Sequence, residues 1–137
     1  MRLAYKLRVN AALCEIRETT IMIKFQQIIG AKLESVSETI ATYVDAGEKN
    51  ETLKVNVFSL NFNIGCFSIE NPYTLYGVSS LIDLQGCKIQ DAFSNSKEIL
   101  IKFENNASIS VSLKDEDFVG PEAASYSPNQ GEIVVFN

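Results

Sequence analysis

The side chains best able to do chemistry in this chain are carboxylates. Asp115, Glu116 and Asp117 stand in a row, and Glu122 follows directly after the Gly120-Pro121 pair. Clustered acids of this kind suit glycoside hydrolysis, a hard cation or a basic protein surface. Adjacent acids on a loop point in different directions, and the remaining positions of an EF-hand loop are missing. Solvated charge or a protein contact is therefore the better reading than catalysis or metal binding. Phe118 and Tyr126 interleave with the acids. An aromatic ring flanked by carboxylates on a Gly-Pro-shaped loop is what a basic partner would grip. Asp115, Glu116, Asp117, Phe118, Glu122 and Tyr126 are thus the candidate partner-binding residues.

The rest of the composition argues against most other chemistries. The chain has no histidine, which removes triads and metal sites that depend on imidazole. Its three cysteines, Cys14, Cys66 and Cys87, are widely spaced and form no C-x-x-C. They suggest neither a zinc site nor a disulfide framework, although a Cys66–Cys87 bridge stays open. No glycine-rich phosphate cradle is present, so no cofactor is expected. Lys32 and Lys88 read as strand-face charges.

The net charge of −5 is unevenly placed. Residues 1–24 carry five basic and two acidic side chains, whereas residues 25–137 carry seven basic and fifteen acidic ones. An acidic body repels nucleic-acid phosphates and attracts basic proteins. No stretch reaches the ~20 apolar residues of a membrane-spanning helix. The basic start is followed by a segment too short and polar for a signal peptide, so a cytoplasmic location is expected. Residues 1–21 read as an N-terminal extension, non-native or the product of an upstream start, with a helical turn or two within 11–18.

These residues must be positioned by a unit that the chain contains twice. Phe25-Gln-Gln-Ile-Ile-Gly-Ala-Lys-Leu-Glu-Ser returns 56 residues later as Leu81-Ile-Asp-Leu-Gln-Gly-Cys-Lys-Ile-Gln-Asp. Gly30 falls on Gly86, Lys32 on Lys88 and Leu33 on Ile89. Two copies of one supersecondary element sharing a core are implied. Around them, Ile21–Phe25 has the alternation of a first strand, and Leu33–Val36 continues into a second. Leu53, Val55 and Val57 alternate, then the phase slips to Phe58, Leu60 and Phe62, which suggests a β-bulge. Asn63-Ile-Gly65 turns the chain back through Phe67 and Ile69.

In the second copy Ile99, Ile101 and Phe103 rise, Asn105-Asn106 supplies a two-residue turn, and Ile109, Val111 and Leu113 return. A short helix is expected over Val78–Leu84, capped by Ser79 or Ser80. Glu132–Phe136 is expected as a last strand. The first copy carries an insertion of about fifteen residues ahead of its hairpin. The expectation is a mainly β chain: one domain over 22–137, with repeats at about 25–70 and 81–113 plus a C-terminal strand. The two β-hairpin units would pack as a sandwich or partly open barrel with one or two short helices.

The second copy also carries Leu84-Gln-Gly86-Cys-Lys88-Ile89, Ile101-Lys-Phe103-Glu-Asn-Asn106 and Gly120-Pro-Glu-Ala123. In these motifs it resembles a group of small uncharacterised bacterial proteins, themselves similar in size and charge to the immunity proteins of bacterial toxin systems (contact-dependent inhibition and polymorphic toxins). The resemblance covers about a third of the chain, and its motifs are structural. It implies a non-enzymatic protein that occludes a cognate basic toxin of nuclease type, and it brings no catalytic residues. The alternatives are a self-associating β scaffold, joined through an exposed edge such as Glu132–Phe136, and more distantly an enzyme using the 115–122 carboxylates.

Overall fold

The computed structural model describes residues 21–44 and 51–137. Nine strands lie among them: β1 (Leu33–Val44), β2 (Thr52–Phe62), β3 (Gly65–Ile69), β4 (Tyr73–Tyr76), β5 (Ile89–Ser94), β6 (Glu98–Phe103), β7 (Ser108–Ser112), β8 (Ala124–Pro128) and β9 (Val134–Phe136). They form two antiparallel sheets, in the orders β1-β2-β3-β8-β9 and β4-β7-β6-β5. The sheets pack as an open sandwich and do not close into a barrel. No helix among the described residues is long and apolar enough to cross a membrane.

Period-two alternation explains the layering, because successive side chains of a strand point to opposite faces. Leu60, Phe67 and Ile69 from one sheet and Ile99, Ile101, Phe103, Ile109 and Val111 from the other are buried in one core. Serines take the opposite positions on both sheets, including Ser59, Ser68 and Ser125 on the first and Ser108, Ser110 and Ser112 on the second, all half-buried. Phe25, Phe67 and Phe136 pack as an aromatic cluster, with Phe25 and Phe136 edge to face at 5.0 Å.

The duplicated unit is a β-meander led by a single tight turn. Gln26–Ile28 and Leu81–Leu84 are 3-10 turns, followed by Gly30 at φ +90° and Gly86 at φ +88°. Each lead-in enters a strand with a bulge at its root, between Leu33 and Ser35 in β1 and between Ile89 and Asp91 in β5. The two copies meet at their matched lysines, which form an antiparallel bridge. Around it Gly30 N–H donates to Ile89 O at 2.8 Å and Gly86 N–H to Leu33 O at 2.7 Å. Leu33 N–H donates to Cys87 O at 3.0 Å and Ile89 N–H to Ala31 O at 2.9 Å. The offset of 56 residues exchanges the members of each pair, so the repeat is physical as well as textual.

Several expectations are corrected. Residues 21–25 are helical, not a strand, because Phe25 and Ile28, both fully buried, must reach the core from one face of a helical turn. The insertion in the first copy lengthens its hairpin: β1 and β2 pair without interruption from Ser35–Asn61 to Val44–Thr52, whereas the matching β5–β6 hairpin closes at Asn95. The phase slip in β2 therefore marks no bulge there. Val55 and Val57 are buried on the face opposite Leu60 and Phe62. The β6–β7 turn has three residues, not two, with Asn106 at φ 67°. Tyr73–Tyr76, read as connection, is a strand, and the last strand is only Val134–Phe136. Ser80 does begin the 3-10 turn, its N–H held by Asp83 Oδ2 at 3.1 Å. Cys66 and Cys87 are free, half-buried thiols, so the bridge between them is not formed. The expected helical turn at 11–18 lies outside the described residues.

The glycines at the interlock have open space where a Cβ would go. Alanine there meets only backbone strain, which costs about 1–2 kcal/mol at a left-handed position. Gly30→Ala and Gly86→Ala are expected to lower stability by that amount and nearly equally, as read by urea denaturation. A neutral effect at either site would show that the turn relaxes there and that the copies are not equivalent.

Candidate partner-binding site

Nothing local in the chain predicts which acids meet; the long β1–β2 arm decides it. Extending beyond the end of β3, the arm leaves one face of Tyr43, Val55 and Val57 uncovered by the second sheet. The acidic loop after β7 covers it. A Cβ on Gly120 would stand 3.2 Å from Val55 Cγ2 and 3.5 Å from both Tyr43 Cε2 and Glu70 Oε1, so the loop lies flat against the arm. The Glu70 and Asn71 N–H groups both donate to Ala123 O, at 2.9 and 3.0 Å, and fasten the far end of the loop.

Beneath this loop three polar side chains converge. The Tyr43 hydroxyl donates to Glu70 Oε1 at 2.5 Å. The half-buried Glu122 is near enough for its charge to bear on both groups. Burial is the largest cause that raises the Glu70 carboxyl above its ordinary range; the charge and hydrogen bond of Glu122 push the same way, and the Tyr43 hydroxyl opposes them. The Tyr43 phenol is raised too, by burial first, then by its bond to Glu70 and by the charges of Glu70 and Glu122.

The six candidate residues separate in space. Asp115 and Glu116 are exposed on a 3-10 turn, Asp115–Asp117. Asp117 is half-buried and accepts from Ser112 Oγ at 2.5 Å, which fixes the turn to the end of β7. Phe118 is half-buried and packs against the core, so it anchors the loop. Glu122 joins Tyr43 and Glu70. Tyr126 is corrected outright: at 2% exposure it lies in β8 between Phe67 and Val134, with its hydroxyl 3.4 Å from Ile64 O. Alternation in β8 turns it inward, and no partner can reach its ring.

Sequence reasoning missed Tyr43 and Glu70, which sit 27 residues apart. The available signal was the position of Glu70 at the end of β3, on the polar side of its alternation. Behind the cluster, Asn71 is 2% exposed; its Nδ2 donates to Ser112 O at 2.8 Å, while its Oδ1 accepts nothing from the described residues. Among the described residues no group of three or more acids or cysteines is placed to hold a metal. An open depression of about 490 Å³, lined by Asp91, Lys102, Asn106 and Ser108 among others, contains none of the six candidates. No protein-family model, curated protein or solved structure matches the chain.

The crowding at Glu70 gives a pH dependence of defined sign. A carboxyl group whose folded-state pKa is raised favours folding while protonated, and that contribution is lost as pH rises through the folded value. Glu70→Gln keeps an acceptor for Tyr43 and never ionises. The variant is expected to match the parent near about pH 4 and to be the more stable of the two at about pH 8, as measured by denaturant melts across the range. A variant less stable than the parent at the higher pH would show that ionised Glu70 is an asset to the fold.

Proposed function

We propose that this chain is a non-enzymatic, immunity-type protein that binds one basic toxin and covers its active cleft. The observation that carries the reading is the Glu70–Glu122 pair. Glu70, half-buried and bonded to Tyr43 beneath Gly120, is raised by burial first and then by the nearby Glu122 charge, and Asp115 and Glu116 stand exposed on the loop that covers it. A cation from a partner would offset the Glu122 charge, so complex formation gains from a cost already present in the free protein. Carboxylates grouped in this way stand in for the phosphates of a nucleic acid, which suits a toxin that is a nuclease. The acidic balance of the chain, and its resemblance to small uncharacterised bacterial proteins that are similar in size and charge to immunity proteins, support the same reading. Tyr43 and Phe118 then hold the loop in shape, and the acids make the contact.

The test is capture of the partner with tagged protein at moderate salt, followed by a toxicity assay of the captured protein expressed with and without this chain. The expected result is a single basic protein that is harmful alone and harmless in the pair. Its association rate should fall at least about tenfold between low and high salt, because steering charges are screened within about a Debye length. Asp115→Asn with Glu116→Gln should lower that rate and leave stability unchanged. A rate indifferent to salt, or a captured partner that stays toxic in the pair, would overturn the proposal.

A further inference from the structure

We propose that β1 pairs, edge to edge and antiparallel, with β1 of a second copy of this chain about a two-fold axis at Ile40. β1 is an outer strand of its sheet and, among the described residues, is bridged on its free side only at its root, where Lys32 meets Lys88. From Ser35 to Val44 its register against β2 is unbroken, and no other described strand lies along its outer side. Exposed edges are normally blunted by proline, lysine, a bulge or shortness. β9 has three residues, β4 has four and follows Pro72, and β5 has six with a bulge at its root. β1 has twelve, its bulge is confined to the root, and it contains neither proline nor lysine.

An edge strand is self-complementary under a two-fold axis normal to the sheet, because it offers the same rows of N–H and C=O groups in both copies. Such an axis keeps each face on its own side, so it must pass through a residue position, and the side chains select which one. On the face that carries Glu38, Ile40, Thr42 and Val44, an axis at Thr39 would set Ile40 against the partner's Glu38. An axis at Ala41 would set Val44 against that same carboxylate. At Ile40, the axis pairs Ile40 with its own copy, Val44 with Val36, and Glu38 with Thr42. Ile40 and Val44 are 64% and 69% exposed, so this register covers the two most open aliphatic side chains of the arm. Thr42 is the cross-strand partner of Lys54 on β2. Glu38 of one copy and Lys54 of the other therefore share a row, with only the small Thr42 between them, and the two-fold axis makes that opposite-charge row twice.

Sedimentation equilibrium of the full chain over a concentration series reads the association directly. Ile40→Lys places charge on an exposed edge position and should raise the dimer dissociation constant by at least about tenfold with no change in circular dichroism. Glu38→Lys and Lys54→Glu should each weaken the dimer about fivefold, and the double charge swap should restore it. A parent that stays monomeric at the highest concentration it dissolves to would overturn the proposal. So would a dimer indifferent to Ile40→Lys. A dimer weakened by each charge reversal and not rescued by the pair would overturn the Ile40 register.

Discussion

The backbone interlock at Lys32 and Lys88 is the constraint from which the rest of the molecule follows. Four hydrogen bonds of 2.7–3.0 Å tie the root of one meander to the root of the other. Both roots can approach this closely because Gly30 and Gly86 take positive φ just before the bridge, a conformation that other residues enter only at a cost. The turn then delivers Leu33 and Ile89 into the core, each fully or almost fully buried, and the bulge after each sets the direction of the strand that follows. With both roots joined, each meander lays its apolar face against the other, and β4, β8 and β9 widen the sheets at their third strands.

Symmetry accounts for the core, while departures from symmetry account for the surfaces with something to offer. The longer first hairpin carries β1 and β2 past the shelter of the second sheet. One face of that arm is then covered by the loop from Phe118 to Glu122, with Gly120 lying directly on Val55 and Tyr43. The other face leaves Ile40 and Val44 in solvent. The acids at Glu70 and Glu122 are brought together because the arm needed covering. The same region fastens the loop to the sheet and brings Glu122 near Glu70, whose carboxyl group is raised above its ordinary range mainly by burial.

Much of the architecture was legible in the sequence because it is local. The Gly-x-Lys-aliphatic repeat, the alternation through Ile99–Phe103 and Ile109–Val111, and the serine start of the Leu81–Leu84 turn each encode a short-range preference that the tertiary structure had no reason to override. The errors are equally instructive. Residues 21–25 alternate like a strand, but burial of both Phe25 and Ile28 favours a helical turn. The slip at Val57 and Phe58 looked like a bulge, yet β2 is regular and merely changes which of its faces is covered. Tyr126 was grouped with the acids by proximity along the chain, whereas strand parity sends its ring into the core.

By itself the sequence determined the fold class, the duplication, the turn chemistry at Gly30 and Gly86, and the acidic balance of the chain. All of these are sums of local preferences or of composition. Only the tertiary structure decided that Glu122 would meet Glu70 and Tyr43, that Phe118 would anchor while Asp115 and Glu116 faced solvent, and that β1 would be the long edge. Those outcomes depend on which strands become neighbours and where a hairpin outruns its sheet. Pairing across such distances is set by the burial of a shared core, which no window of neighbouring residues contains.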